Sequence, residues 1–139
     1  MTILSWHDQY LIGEWTIDEQ HKMLFKLIND FHSHWIAAHD PKEISALLNK
    51  LISYCEHHFV TEEGIMEKEG YPKRDRHHAD HEDLAKTIFD LNEEFAARRE
   101  LASNDVQKFC KHWLVDHIVN ADYDFRDFLA MKRKQRKES

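Results

Sequence analysis

Glycine and proline are scarce. Three glycines (Gly13, Gly64, Gly70) and two prolines (Pro41, Pro72) punctuate 139 residues, too little turn chemistry for the closely spaced strands of a β-sandwich. The glycines stand apart, so no glycine-rich loop is present to cradle a phosphate. Two cysteines, Cys55 and Cys110, are too few for a disulfide framework. Both fall inside helical apolar patterns and read as small core residues with free thiols. No apolar run approaches the ~20 residues that span a bilayer, and the start, MTILSWHDQYLIGEW, lacks the basic region and continuous apolar stretch of a signal peptide. A cytoplasmic protein without a transmembrane segment is expected.

Positive charge is also in short supply. Against 26 acidic residues there are 19 basic ones, a net charge of −7, and five of the basic residues crowd into positions 132–139. The body ahead of that basic tail is more acidic still, which disfavours nucleic acid as a partner. The tail reads as the solvated end of a last helix, where cations suit the dipole; a nuclear-type or membrane-surface patch is the alternative.

What the chain has is helical periodicity and histidine. With 42% hydrophobic residues it can bury one core, and its length is that of a single domain over 1–139. Asp18 is placed to cap a first helix over about 19–38, with Leu24, Leu27, Ile28, Phe31 and Trp35 at three- and four-residue steps. Asp40-Pro41-Lys42-Glu43 opens a second over about 41–69, ended by Gly70 and Tyr71-Pro72. A third is predicted over about 74–98, and a fourth over about 104–131 with Ser103 or Asn104 as cap and Val106, Cys110, Trp113 and Phe128 on its stripe. Short connections make neighbours antiparallel. The fold class is therefore all-α, an antiparallel up-down-up-down four-helix bundle. Residues 1–17, with Trp6, Tyr10 and Trp15 but no clear period, are expected as an extended N-terminal arm.

Each apolar stripe turns polar when extended. The first leads back to His21, the second on to His58 and Glu62, the third back to His81 and His77, and the fourth to His117. Burying such groups without partners costs several kcal/mol. His21, His77 and His81 lie near helix starts, His58, Glu62 and His117 in second halves, so an antiparallel bundle brings all six to one layer. Imidazole and carboxylate without thiolate suit iron, manganese or zinc. Five imidazoles exceed the needs of one tetrahedral zinc with three protein ligands and a water. Two metals fit better, and two metals need bridges. Glu62 is one candidate. Asp122, five residues after His117, is another, but in an α-helix the two would point about 140° apart, and Asp116, Asp124 and Asp127 compete. The other histidines (His7, His32, His34, His39, His57, His78, His112) are expected at the surface or behind the ligands, and neither they nor Glu63 are expected to touch a metal.

Asp18-Glu19-Gln20-His21, His58-Phe59 with Glu62-Glu63 and Met66, Tyr71-Pro72, His77-x-x-x-His81, and Trp113-Leu114 with His117-Ile118 and Asp122 together resemble the hemerythrin family, and in particular its single-domain bacterial members. Trp6, Tyr10 and Gly13 are similar to that family's N-terminal arm. The likeness covers nearly the whole chain and leaves out only the basic tail. It implies a non-haem di-iron centre with an oxo or hydroxo bridge. His77, His81 and His117 would bind one iron, His21 and His58 the other, and Glu62 and Asp122 would bridge them. The first iron is then six-coordinate and the second five-coordinate, with one position left for dioxygen. Leu24, Phe59, Trp113, Leu114 and Ile118 would form an apolar oxygen pocket, Trp113 alone bringing a donor.

The implied function is reversible dioxygen binding for storage, delivery or sensing, with no enzymatic activity. A di-metal oxidase or peroxidase is disfavoured: the chain has no Glu-x-x-His pair of the ferritin-like type. A zinc peptidase is excluded by His78, which stands where His-Glu-x-x-His needs its glutamate. A fused sensor would need further domains, leaving a separate protein that receives oxygen or signal as the possible partner.

Overall fold

Residues 4–37, 40–98, 105, 109 and 114–138 are described by a computed structural model. The predicted Ser103 or Asn104 cap, Val106, Cys110 and Trp113, together with His39 and His112, lie outside them. A 3-10 turn at Asp8–Tyr10 precedes α1 (Trp15–Ile36), α2 (Pro41–Glu69) and α3 (Arg74–Arg98). The last helix, α4, is described as an α segment Leu114–His117, a π segment Ile118–Asp122 and an α segment Tyr123–Glu138. No strand occurs among the described residues, and none of their helices is long and apolar enough to cross a membrane.

Two apolar clusters establish the antiparallel order. One gathers Leu24, Ile28, Cys55, Phe59, Ile88, Leu91, Phe109 and Ile118 among others; the second holds Ile12, Ile17, Met66, Tyr71, Phe125 and Leu129. Following the chain, α1 runs from the second cluster to the first, α2 returns, the Tyr71 corner and α3 go up again, and α4 comes back. The up-down-up-down bundle expected from the stripes is the one observed. Between the two clusters every helix contributes polar residues, which fixes a single layer for His21, His58, Glu62, His77, His81 and Asp122, all buried.

The ends follow local chemistry. Asp40 accepts from Lys42 N at 2.9 Å with Pro41 at the first helical position. Gly70 takes φ 70°, which lets Tyr71 N reach Met66 O at 2.9 Å and closes α2. At α1 the sequence reading misplaced the cap. Glu14 caps the helix, accepting from Ile17 N at 2.8 Å, and the helix starts at Trp15. Asp18 sits inside the first turn and instead accepts from Ile12 N (2.7 Å) and Gly13 N (3.2 Å), tying the arm to the helix. Elsewhere the arm is pinned by Leu4, which exchanges two hydrogen bonds with the Asn29 side chain, and by Trp6 and Tyr10 against Phe25.

The basic tail is not merely solvated. It continues α4 as far as Glu138, and three of its cations fasten the neighbouring chain ends. Lys132 Nζ donates to Glu69 O at 2.6 Å and to the Glu69 carboxylate at 3.2 Å, Arg136 reaches the same carboxylate at 3.2 Å, and Arg133 donates to Gly13 O at 2.5 Å. Lys132 thereby satisfies a terminal carbonyl of α2 that has no partner within its own helix. Lys132→Ala is expected to cost about 1 kcal/mol, read as a fall of a few degrees in the thermal midpoint with the helical signal unchanged.

Candidate metal centre

Five imidazoles and two carboxylates meet in the buried layer. Glu62, His77, His81, His117 and Asp122 form one group whose ligand atoms lie within 4.8 Å of one another, and His21, His58 and Glu62 form a second. The two carboxylates divide their oxygens between these groups. Glu62 Oε1 faces His77 Nε2 (2.5 Å) and His81 Nε2 (3.3 Å), while Oε2 faces His58 Nε2 (3.2 Å) and His21 Nε2 (3.4 Å). Asp122 Oδ1 faces His77 Nε2 (3.0 Å) and His117 Nε2 (3.2 Å), while Oδ2 faces His21 Nε2 (3.2 Å). Three imidazoles therefore collect on one side, two on the other, and each carboxylate spans both.

Asp122 reaches this layer because α4 changes pitch. Tyr123 N bonds to Ile118 O, five residues back, so the segment Ile118–Asp122 holds one more residue per turn than an α-helix. Five residues then do what four do in an α-helix, and Asp122 comes round to the face of His117. The π turn brings together two side chains that an α-helical angle would hold about 140° apart.

The layer has the marks of a cation site. His21 Nε2, Glu62 Oε2, His81 Nε2, His117 Nε2 and both Asp122 oxygens are buried without a hydrogen-bond partner. Such orphaned atoms are costly, and here they point at one another around a common space. An all-nitrogen-and-oxygen donor set of this kind fits iron.

Charge within the layer is strongly perturbed. Burial lowers the His21 imidazole, but the Asp122 and Glu62 carboxylates, 3.2 and 3.4 Å away, outweigh it and raise it to about 9. Burial likewise opposes His77, which the same two carboxylates raise to about 10. His58 is lowered, burial winning over Glu62. Both carboxylates face burial that would raise them, yet the surrounding imidazoles hold Glu62 and Asp122 below the usual carboxylate range. Without metal, protons on His21 and His77 balance the two anions. The stability they give is complete below the ordinary imidazole value of 6.5 and is lost as pH rises through about 9 to 10. The contribution of the carboxylates is complete above 4.5 and is lost on acidification; His58 runs the other way from the two raised imidazoles and trims the acid side of that window. The metal-free protein is thus expected to lose thermal stability between pH 7 and 10. The metal-loaded protein, whose ligand protons have already been displaced, should lose less over the same range.

Gln20 and Glu63, to which the sequence assigns no role, hold two imidazoles of the layer from behind. His58 Nδ1 donates to Gln20 Oε1 at 2.7 Å, and Gln20 Nε2 lies 3.5 Å from His57 Nε2. His81 Nδ1 donates to Glu63 Oε2 at 2.9 Å, while Glu63 Oε1 accepts from His78. Glu63, His57 and His78 lie outside the buried layer, but Glu63 is bonded to His81, which is in it. Of the anticipated pocket, Leu24, Phe59 and Ile118 are buried in the first apolar cluster, and Phe59 stacks on His81 with ring centroids 4.0 Å apart. Trp113 is outside the described residues, and for Leu114 only its place in the helix is described.

The profile of the Hemerythrin HHE cation binding domain matches residues 13–128. The chain belongs to the hemerythrin family. Among similar hemerythrins, the bacteriohemerythrin of Methylococcus capsulatus is 36% identical over 105 residues, covering 76% of this chain and 79% of that protein. The myohemerythrin of Theromyzon tessulatum is 30% identical over 122 residues, covering 88% and 90%. A crystal structure of wild-type hemerythrin superposes with a TM-score of 0.81 at 31% identity, over 90% of this chain and 96% of that one. The resemblance read from the spaced histidines is therefore borne out, and so is the hemerythrin fold.

Proposed function

We propose that His77, His81 and His117 hold one iron and His21 and His58 a second, with Glu62 and Asp122 bridging. The function is reversible dioxygen binding at this non-haem di-iron centre. One observation carries the assignment: each carboxylate turns one oxygen to the three-imidazole side and the other to the two-imidazole side. Two irons held by these residues would supply the pair of electrons that reversible dioxygen binding needs. The side of His21 and His58 offers one imidazole fewer, so an iron held there would be the one left open to dioxygen.

The residues around the layer bear on whether dioxygen leaves intact. Leu24, Phe59 and Ile118 are buried, carry no N–H or O–H on their side chains, and keep water and proton donors away. Trp113 and Leu114 are assigned to the same pocket on the sequence pattern. Five imidazoles against two carboxylates, and an apolar wall, favour a carrier over an oxidase. A role in the cytoplasm is proposed alongside it, in keeping with a chain of only two cysteines.

The test is optical. Protein reduced without oxygen and then exposed to air is expected to gain a charge-transfer band that fades under nitrogen and returns over repeated cycles. Irreversible bleaching with turnover of peroxide would replace the carrier by an oxidase.

A further inference from the structure

The two sides of the centre are backed by different chemistry. We infer that Gln20 and Glu63 are positioning residues that give the two metal positions unequal preference for the ferric state. The inference rests on the two-iron reading above.

His58 is held by a neutral acceptor, the Gln20 amide oxygen at 2.7 Å; His81 is held by an anion, the Glu63 carboxylate at 2.9 Å. Both bonds fix the proton on Nδ1 and so turn the Nε2 lone pair toward Glu62. Their electronic effects differ. A carboxylate draws the Nδ1 proton more strongly than an amide does, leaves more electron density on Nε2, and so favours the more highly charged metal.

Both partners are themselves held. Glu63 is 20% exposed, but its second oxygen is taken by His78, whose other nitrogen lies 2.8 Å from Glu82 Oε1. Gln20 is buried, and its amide nitrogen faces His57, which keeps the oxygen toward His58. Neither acceptor is an incidental surface contact. The anionic backing belongs to the side with three imidazoles, and the neutral backing to the side with two. The asymmetry therefore adds to the difference in ligand number: the His81 side favours ferric iron, and the His58 side is left readier to return to ferrous.

Spectroelectrochemistry of the iron-loaded wild type, Glu63→Gln and Gln20→Glu tests this. With two irons retained, the midpoint potential of the centre should rise in Glu63→Gln and fall in Gln20→Glu, and iron affinity should change by about 10- to 100-fold at most. Cobalt(II)-loaded protein gives a second reading. One solvent-exchangeable imidazole N–H resonance should move in Glu63→Gln and a different one in Gln20→Glu. Unmoved potentials, or shifts of the same sign in both variants, would overturn the inference. Should the added buried charge of Gln20→Glu prevent folding, the sign for Glu63→Gln decides alone: a rise supports it, and no change or a fall overturns it. A wild type that fails to take up two irons would instead sink the two-iron reading, before any variant is compared.

Discussion

Glu62→Ala is expected to abolish the oxygen-dependent band and to weaken iron binding by at least about 100-fold. Loss of a partner that only orients a ligand typically costs 10- to 100-fold, and Glu62 does more than that. Its two oxygens face four imidazoles, at 2.5 to 3.4 Å, and its loss removes an anion from both sides of the centre at once. The raised protonation of His21 and His77 is in part its doing. Glu62→Gln, which keeps the shape and removes the charge, should lose the band as well and separates the electrostatic role from packing. Glu67→Ala five residues further on, whose carboxylate pairs at the surface with Arg74 at 3.1 Å, should leave iron content and spectrum unchanged. Iron analysis and absorption spectra of the three variants check this. A Glu62→Gln protein that still takes two irons and cycles with oxygen would show that the bridge is not where the geometry puts it.

Removing the metal from the folded protein should lower its thermal midpoint by on the order of 10 °C at pH 7. Chelation leaves the oxygens of two carboxylates and the Nε2 atoms of five imidazoles facing only one another in the bundle. Mutual neutralisation offsets part of the cost of burial, but the orphaned atoms on His81, His117 and Asp122 show that it is incomplete. The apolar clusters on either side do not depend on metal, so far-ultraviolet circular dichroism should keep most of its helical signal at 20 °C or so. Differential scanning calorimetry of the loaded and stripped forms measures the effect. Equal midpoints would mean that the layer is satisfied without a cation.

Much of this was legible in the sequence because helical period and antiparallel order are enough to stack residues in layers. Leu24 and Ile28 lead back to His21, and Cys55 leads on to His58 and Glu62, by steps of three and four. Asp40 and Gly70 mark their helix ends by side-chain and backbone chemistry that acts within a few residues. What escaped depends on contacts between elements or on a departure from α geometry. Asp18 has the composition of a cap, but Glu14 takes the helix end, and Asp18 is claimed by the amides of Ile12 and Gly13. The π turn that swings Asp122 onto the face of His117 leaves no mark in Ile118-Val119-Asn120-Ala121-Asp122 that period alone detects. On an α-helix Glu63 points about 100° from Glu62, away from the layer. That direction takes it to α3 and His81. Lys132 and Arg133 look like a solvated charge run until the ends of α2 and the arm are placed beside them.

Iron-edge anomalous diffraction from crystals of the reconstituted protein tests the central claim most directly. Two peaks per chain are predicted, one among His77, His81 and His117 and one beside His21 and His58, with Glu62 and Asp122 reaching both. A single peak, or peaks away from these side chains, would contradict the account.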